Sequence, residues 1–226
     1  MKNLILATAL LLSAIGCASV DTAPKTMMGM PLLLDETFED GADRWEPPDP
    51  SAFAVLERDG NHVYAIIKDS SYQPPVRSPQ NITILKDLCA SDFVLEVNLM
   101  STTEDYGHRD MCVLFGYQDP SHYYYVHFGL KADPHSNSIF LVNGVPRVSI
   151  AKTRTEGTRW IDNTFHTVRI VRRVASGDIE VYFDNMVTPV MTACDTTLKK
   201  GRFGVGSFDD TGHIDNYRIW GIAATK

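Results

Sequence analysis

The feature that most constrains this chain is a succession of short apolar runs, each closed by turn chemistry. The clearest are Val63–Ile67, Phe93–Met100, Met111–Tyr117, Tyr123–Leu130, Ser138–Val142, Thr167–Val171, Ile179–Phe183, Phe203–Phe208 and Ile214–Trp220. They are rich in Val, Ile, Phe and Tyr, which suit a pleated, half-buried surface. Between them lie Asp59-Gly60-Asn61, Gln118-Asp119-Pro120-Ser121, Asn143-Gly144, Ser176-Gly177-Asp178 and Asp209-Asp210-Thr211-Gly212, the residue types that make tight turns. No stretch holds a helical period over three turns, and no internal repeat appears. The pattern predicts an all-β fold, an antiparallel β-sandwich of the jelly-roll kind.

The 226 residues suit one such domain, and 44% hydrophobic content supplies a core. The net charge of −7, with no basic block, excludes nucleic acid as an expected partner, because that affinity comes from neutralising phosphates. The first residues read as a targeting segment: Lys2, then an apolar run from Leu4 to Ile15 too short to span a bilayer. Ala14-Ile15-Gly16-Cys17 resembles a bacterial lipoprotein cleavage site. The resemblance implies a signal peptide over 1–16 and a lipid on Cys17; an ordinary signal peptide cut after a nearby alanine is the alternative. Either places the protein outside the cytoplasm, lipid-anchored or secreted, with 17–35 as a tether and 36–226 as the domain. Of the later cysteines, Cys89, Cys112 and Cys194 allow at most one disulfide, and Cys112 in its apolar run reads as a small core residue.

Alternation assigns faces, because successive side chains of a strand point to opposite sides. Tyr124, Val126, Phe128 and Leu130 form a core face; Tyr123, Tyr125, His127 and Lys131 fall on the other, unusually aromatic one. His166 shares a face with Val168 and Ile170 and reads as a packed, structural histidine. Trp45 and Trp220 read as core or seam residues.

Three segments carry a family resemblance: Thr37-Phe38-Glu39-Asp40-Gly41 with Trp45; Phe165–Arg172 followed by Gly177–Asp184; and Gly201–Phe208 ending in Ile214–Trp220. Together they resemble the concanavalin A-like lectin/glucanase superfamily, nearest to its laminin-G-like and 3-keto-disaccharide hydrolase-like bacterial branches. The superfamily includes lectins, binding modules, glycoside hydrolases and polysaccharide lyases, so the fold does not choose among them. The E-x-D-x-x-E motif of its endoglucanases and the R-x-E-x-R and Q-I-H motifs of alginate-lyase-type jelly rolls are absent from this chain.

In this fold the resemblance implies a glycan on the concave sheet face. His108, Arg109, Tyr123, Tyr125, His127, Lys131 and His135 are the expected ligand-binding residues: aromatic faces stack on sugar C–H surfaces, while polar groups fix hydroxyls. Arg109, Lys131 and Arg147 would hold a carboxylate or sulfate. Were the protein an enzyme, His127, Tyr125 and Asp110 would be its catalytic residues, the first two for proton transfer and Asp110 as one of two carboxylates. Trp160 is a further candidate platform at the rim. Glu39, Asp40 and Asp215, beside Asp209 and Asp210, would form a calcium site joining the two ends of the domain; the competing expectation makes Asp209–Gly212 a plain turn. No cofactor is required. The expected function is recognition of poly- or oligosaccharide; a glycan-degrading hydrolase or lyase, or an adhesion module binding protein, are the alternatives.

Overall fold

A computed structural model describes residues 22–225. The signal peptide over 1–16 and Cys17 lie outside the described residues. Among the described residues, seventeen strands form two antiparallel sheets. In chain order they are β1 Thr26–Met27, β2 Met30–Glu36, β3 Trp45–Glu46, β4 Phe53–Arg58, β5 Asn61–Ile66, β6 Asn81–Leu85, β7 Ala90–Ser101, β8 Cys112–Asp119, β9 His122–His127, β10 Ser138–Asn143, β11 Val148–Ser149, β12 Ala151–Arg154, β13 His166–Arg173, β14 Asp178–Phe183, β15 Met191–Cys194, β16 Arg202–Ser207 and β17 Gly212–Ala223.

The larger sheet runs β1-β2-β17-β7-β13-β14-β15-β12, with β5 on the start of β17 and β4 on β5; the smaller runs β11-β10-β9-β8-β16-β6-β3. The result is a jelly-roll sandwich, as the alternation predicts. Between the sheets lies a continuous core that includes Phe38, Trp45, Tyr64, Phe93, Phe115, Tyr124, Phe128, Trp160, Phe203 and Tyr217. Apolar area removed from water at roughly 25 cal/mol per Å² is the main favourable term in such a fold. Ring pairs add directional packing: Trp45 meets Tyr217 edge-on at 4.9 Å, and Phe93 meets Phe203 edge-on at 4.9 Å.

The nine sequence-predicted runs all coincide with strands. The start of the domain differs from expectation. Residues placed in the tether form β1 and β2, and β2 pairs with β17 from Tyr217↔Glu36 to Trp220↔Leu32. Met30 packs with Val94, Val171, Tyr182 and Trp220 on the outer face of the larger sheet, and the Trp220 indole N–H donates to the Pro24 carbonyl at 2.7 Å. This segment is a cover over that face.

Trp45 and Trp220 are buried as expected. So is His166: its Nδ1 donates to Asp184 at 2.7 Å and its Nε2 accepts from the Ile161 amide at 3.0 Å, which fixes the ring between two loops. Trp160 is not a rim platform. It is 5% exposed, and its indole N–H donates to the Phe128 carbonyl at 2.9 Å inside the core. Among the described residues no disulfide joins Cys89, Cys112 and Cys194. The Asp209–Gly212 turn carries the chain from β16 in one sheet to β17 in the other.

Candidate functional site

The β8–β9 and β9–β10 registers set the outward face of the smaller sheet. Cys112 lies opposite His127 and Leu114 opposite Tyr125; Phe140 lies opposite Tyr125 and Val142 opposite Tyr123. The odd-numbered side chains of β9 therefore share the face that alternation assigned them. That face is not open. Tyr123 and Tyr125 are 1% and 0% exposed, packed with Ile82, Ile84, Leu114 and Phe140 under Tyr72, Val76 and Phe208. The cover is the irregular segment 68–80, held by Ser70 N–H to Asn81 Oδ1 at 2.7 Å and Ser71 N–H to Asp49 Oδ2 at 2.8 Å. Neither tyrosine ring is available to stack on a sugar, which corrects the expected role of both.

His127 lies at the edge of this covered layer, and its two ring nitrogens are occupied. Nδ1 accepts from the Asn137 amide at 3.2 Å. The proton of the neutral ring therefore sits on Nε2, which faces Asp110 Oδ2 at 3.3 Å. Burial, with the nearby Arg147 and His108 charges, pushes the His127 pKa down to about 3. Asp110 is fully buried and accepts from the Cys112 thiol at 3.2 Å and from the Phe208 amide at 3.3 Å. Burial first, and then the neighbouring Asp210, push its pKa well up. Burial likewise raises the Cys112 thiol and the Tyr125 phenol.

This is a self-contained polar network under the sheet face. A general base needs a free lone pair within reach of substrate, and His127 has none. Tyr125 and Asp110, both at 0% exposure, do not reach a substrate either. The catalytic assignment of these three residues is thereby corrected. The side chains of Asp110, Cys112 and His127 are close enough to share a metal ion. A metal on Nε2 would require Nδ1 to carry the proton, and the Asn137 amide occupies that nitrogen. The donor set fits a hydrogen-bond network and not a metal.

Above the network a hollow of about 280 Å³ opens, walled by Arg77, His108, His135, Arg147, Phe208 and Asp209 with His127 at its floor. A second hollow of about 350 Å³ continues it along the 73–80 segment and shares Arg77, Phe208 and Asp209. The two make one groove past the half-buried Phe208 ring. The Arg147 guanidinium lies 4.4 Å from the centre of that ring. The Arg147 amide donates to the Arg77 carbonyl at 3.2 Å, tying the groove's two arginines together through the backbone.

Of the seven expected ligand residues, His108, His127 and His135 line this groove. Arg109 does not: it is 1% exposed and spent on Asp105, Asp162 and Ser101. Lys131 is exposed but stands outside the lining. Phe208, Arg77 and Asp209 were missed as groove residues. Parity carried a signal for the first, since Phe203 and Val205 point into the core and Phe208 falls in the opposite set.

At the domain seam, Glu39 is taken by His62, accepting from its amide at 2.9 Å and facing its Nδ1 at 2.8 Å. Asp215 accepts from Asn61 at 3.1 Å and Asn216 at 3.0 Å. Among the described residues, Glu39, Asp40 and Asp215 form no cluster close enough to hold one ion.

No protein-family model and no curated protein sequence matches the chain. Solved structures do match in fold. A carbohydrate-binding module of family 66 from Bacillus subtilis aligns at TM-score 0.55 and 17% identity, over 78% of this chain and 95% of the other. A galectin-like-fold protein of unknown function, also from Bacillus subtilis, aligns at TM-score 0.57 and 9% identity, over 86% and 97%. The β-glucanase of Bacillus licheniformis aligns at TM-score 0.55 and 11% identity, over 83% and 97%. The chain thus has the jelly-roll architecture shared by these lectin- and glucanase-type domains. At such identities the similarity defines a fold and leaves the function to the site.

Proposed function

We propose that this protein recognises poly- or oligosaccharide outside the cytoplasm, in the groove that passes Phe208. The observation that carries this reading is a half-buried aromatic ring set among fixed polar groups in a groove that joins two hollows. The part of the Phe208 ring left open beside the Arg147 guanidinium can meet sugar C–H groups, while the flanking arginines and histidines supply donors in set directions. The carbohydrate-binding module among the similar structures supports the reading. The leader sequence, with its cleavage-site resemblance, supports export from the cytoplasm and anchoring through Cys17. The self-satisfied network at the groove floor offers no free base to a bound sugar, which removes His127, Tyr125 and Asp110 as support for turnover.

The test is affinity electrophoresis of the wild type and Phe208→Ala through gels carrying a panel of neutral, uronic and sulfated polysaccharides. Retention by at least one polysaccharide, lost in Phe208→Ala without loss of the cooperative melt, is the expected result. Equal retention of both proteins would place the binding elsewhere, and product formation in solution would turn the reading toward an enzyme.

A further inference from the structure

Resting on the glycan reading, we infer that the groove selects anionic sugars, bearing carboxylate or sulfate, through the arginine pair Arg77 and Arg147. Arg147 is the stronger argument. One of its terminal nitrogens donates to the His135 carbonyl at 3.3 Å. Its Nε and other terminal nitrogen are shielded from water and have no hydrogen-bond partner. Leaving such donors unsatisfied costs free energy, and for a charged group the cost is larger than for a neutral one. An anionic oxygen satisfies a guanidinium better than a hydroxyl does, because both partners are charged and the fork matches the planar anion.

The surrounding charges agree. Among the described residues neither Arg77 nor Arg147 forms an ion pair with a carboxylate, whereas Arg109, Arg169, Arg202 and Arg218 each do. His108 and His135 stand in the same wall, and His108 faces Asp133 at 3.8 Å. Among the described residues Asp209 is the one carboxylate in the lining; the Tyr106 hydroxyl lies 3.4 Å from it and donates over the shorter 3.0 Å distance to Asp210. Asp110 and Asp210 lie below the floor, almost fully buried and tied into their own network. The groove lining therefore carries two guanidinium groups against the single Asp209 carboxylate, a local positive excess on a chain of net charge −7. A local excess of the opposite sign on an acidic protein is what selective capture of an acidic ligand requires.

The experiment is titration calorimetry with two matched pairs: oligogalacturonate against its methyl ester, and dextran sulfate against dextran. The first pair reads a carboxylate preference, the second a sulfate preference. One acidic member is expected to bind about tenfold or more tighter than its neutral partner, and to weaken as ionic strength rises. Arg77→Met, at an exposed position, and Arg147→Met are each expected to remove the preference, with thermal melts confirming that both fold. Arg147→Lys keeps the charge and is expected to restore part of it. No preference in either pair overturns the inference, as does a preference that survives both Met variants. If neutral polysaccharides are retained through Phe208 while neither pair discriminates, the charge selectivity falls and the glycan reading stands. If no polysaccharide of any class is retained, both fall.

Discussion

Lowering the pH should unfold this protein partly through one imidazole, and the size of the effect follows from where His127 sits. In the folded state its pKa is about 3, against an ordinary value of 6.5, chiefly because the ring is buried. A histidine held neutral in the fold but free to protonate when unfolded contributes full stability above its unfolded pKa. That contribution is lost as the pH falls from about 6.5 towards 3. Between pH 7 and pH 5 the loss amounts to about 2 kcal/mol. Asp110, whose pKa is raised by burial and by Asp210, acts in the opposite sense, since the folded state takes up its proton more readily. To isolate the histidine, urea unfolding is measured at both pH values for the wild type and His127→Gln. Glutamine keeps one acceptor for the Asn137 amide and one donor for Asp110, but it does not titrate. The carboxyl contributions are common to both proteins and cancel to first order. The wild type should lose about 2 kcal/mol more than the variant over this interval. A difference below about 0.5 kcal/mol would mean that the ring protonates in place, and the tautomer argument that removes His127 from catalysis would fail.

Other expectations concern packing and reactivity. A Cβ on Gly206 would stand 2.0 Å from the Asn81 carbonyl oxygen, so Gly206→Ala should force β16 from β6 and cost about 3 kcal/mol in urea denaturation; an unchanged midpoint would refute the close approach. The Tyr125 hydroxyl is buried without a partner, so Tyr125→Phe should leave the melting temperature unchanged or raise it, by up to about 2 kcal/mol of added stability; a clear fall would reveal a hydrogen bond. Of Cys89, Cys112 and Cys194, the exposed Cys194 should be labelled by a thiol reagent in the native protein, and the two buried ones only in denaturant. Peptide mapping of the labelled protein checks this, and rapid native labelling of Cys112 would contradict its burial.

The strands were legible because alternation is a direct imprint of a sheet with one face on a core. The runs around Phe93, Tyr124 and Ile179 show it plainly. β2 was not legible: Pro31 and three consecutive leucines hide its period, and its role appears when Met30 and Leu32 meet the outer face of the larger sheet. β6 is buried at all five positions, so it has no polar face to alternate. The site was half legible. Parity placed Tyr123, Tyr125 and His127 on one face, and the registers agree. Parity does not tell what covers a face, and the cover came from 68–80, an irregular segment whose Pro74, Pro75 and Pro79 give no strand pattern. Arg109 and Arg147 looked alike as isolated cations. Asp105 and Asp162 claim the first, whereas the turn after β10 carries the second over Phe208, and such pairings are fixed by tertiary contacts that spacing does not encode.

The proposed function has a location: the groove past Phe208 is the proposed glycan site. Backbone amide NMR shifts, followed while a polysaccharide fragment retained in the electrophoresis panel is titrated in, test it most directly. The largest changes should cluster at the amides of residues 76–78, 135–136, 147–148 and 207–210, around the groove's Arg77, His135, Arg147 and Phe208. Changes centred instead on the separate hollow of Tyr117, Lys200 and Arg202, with the Phe208 groove silent, would contradict the account.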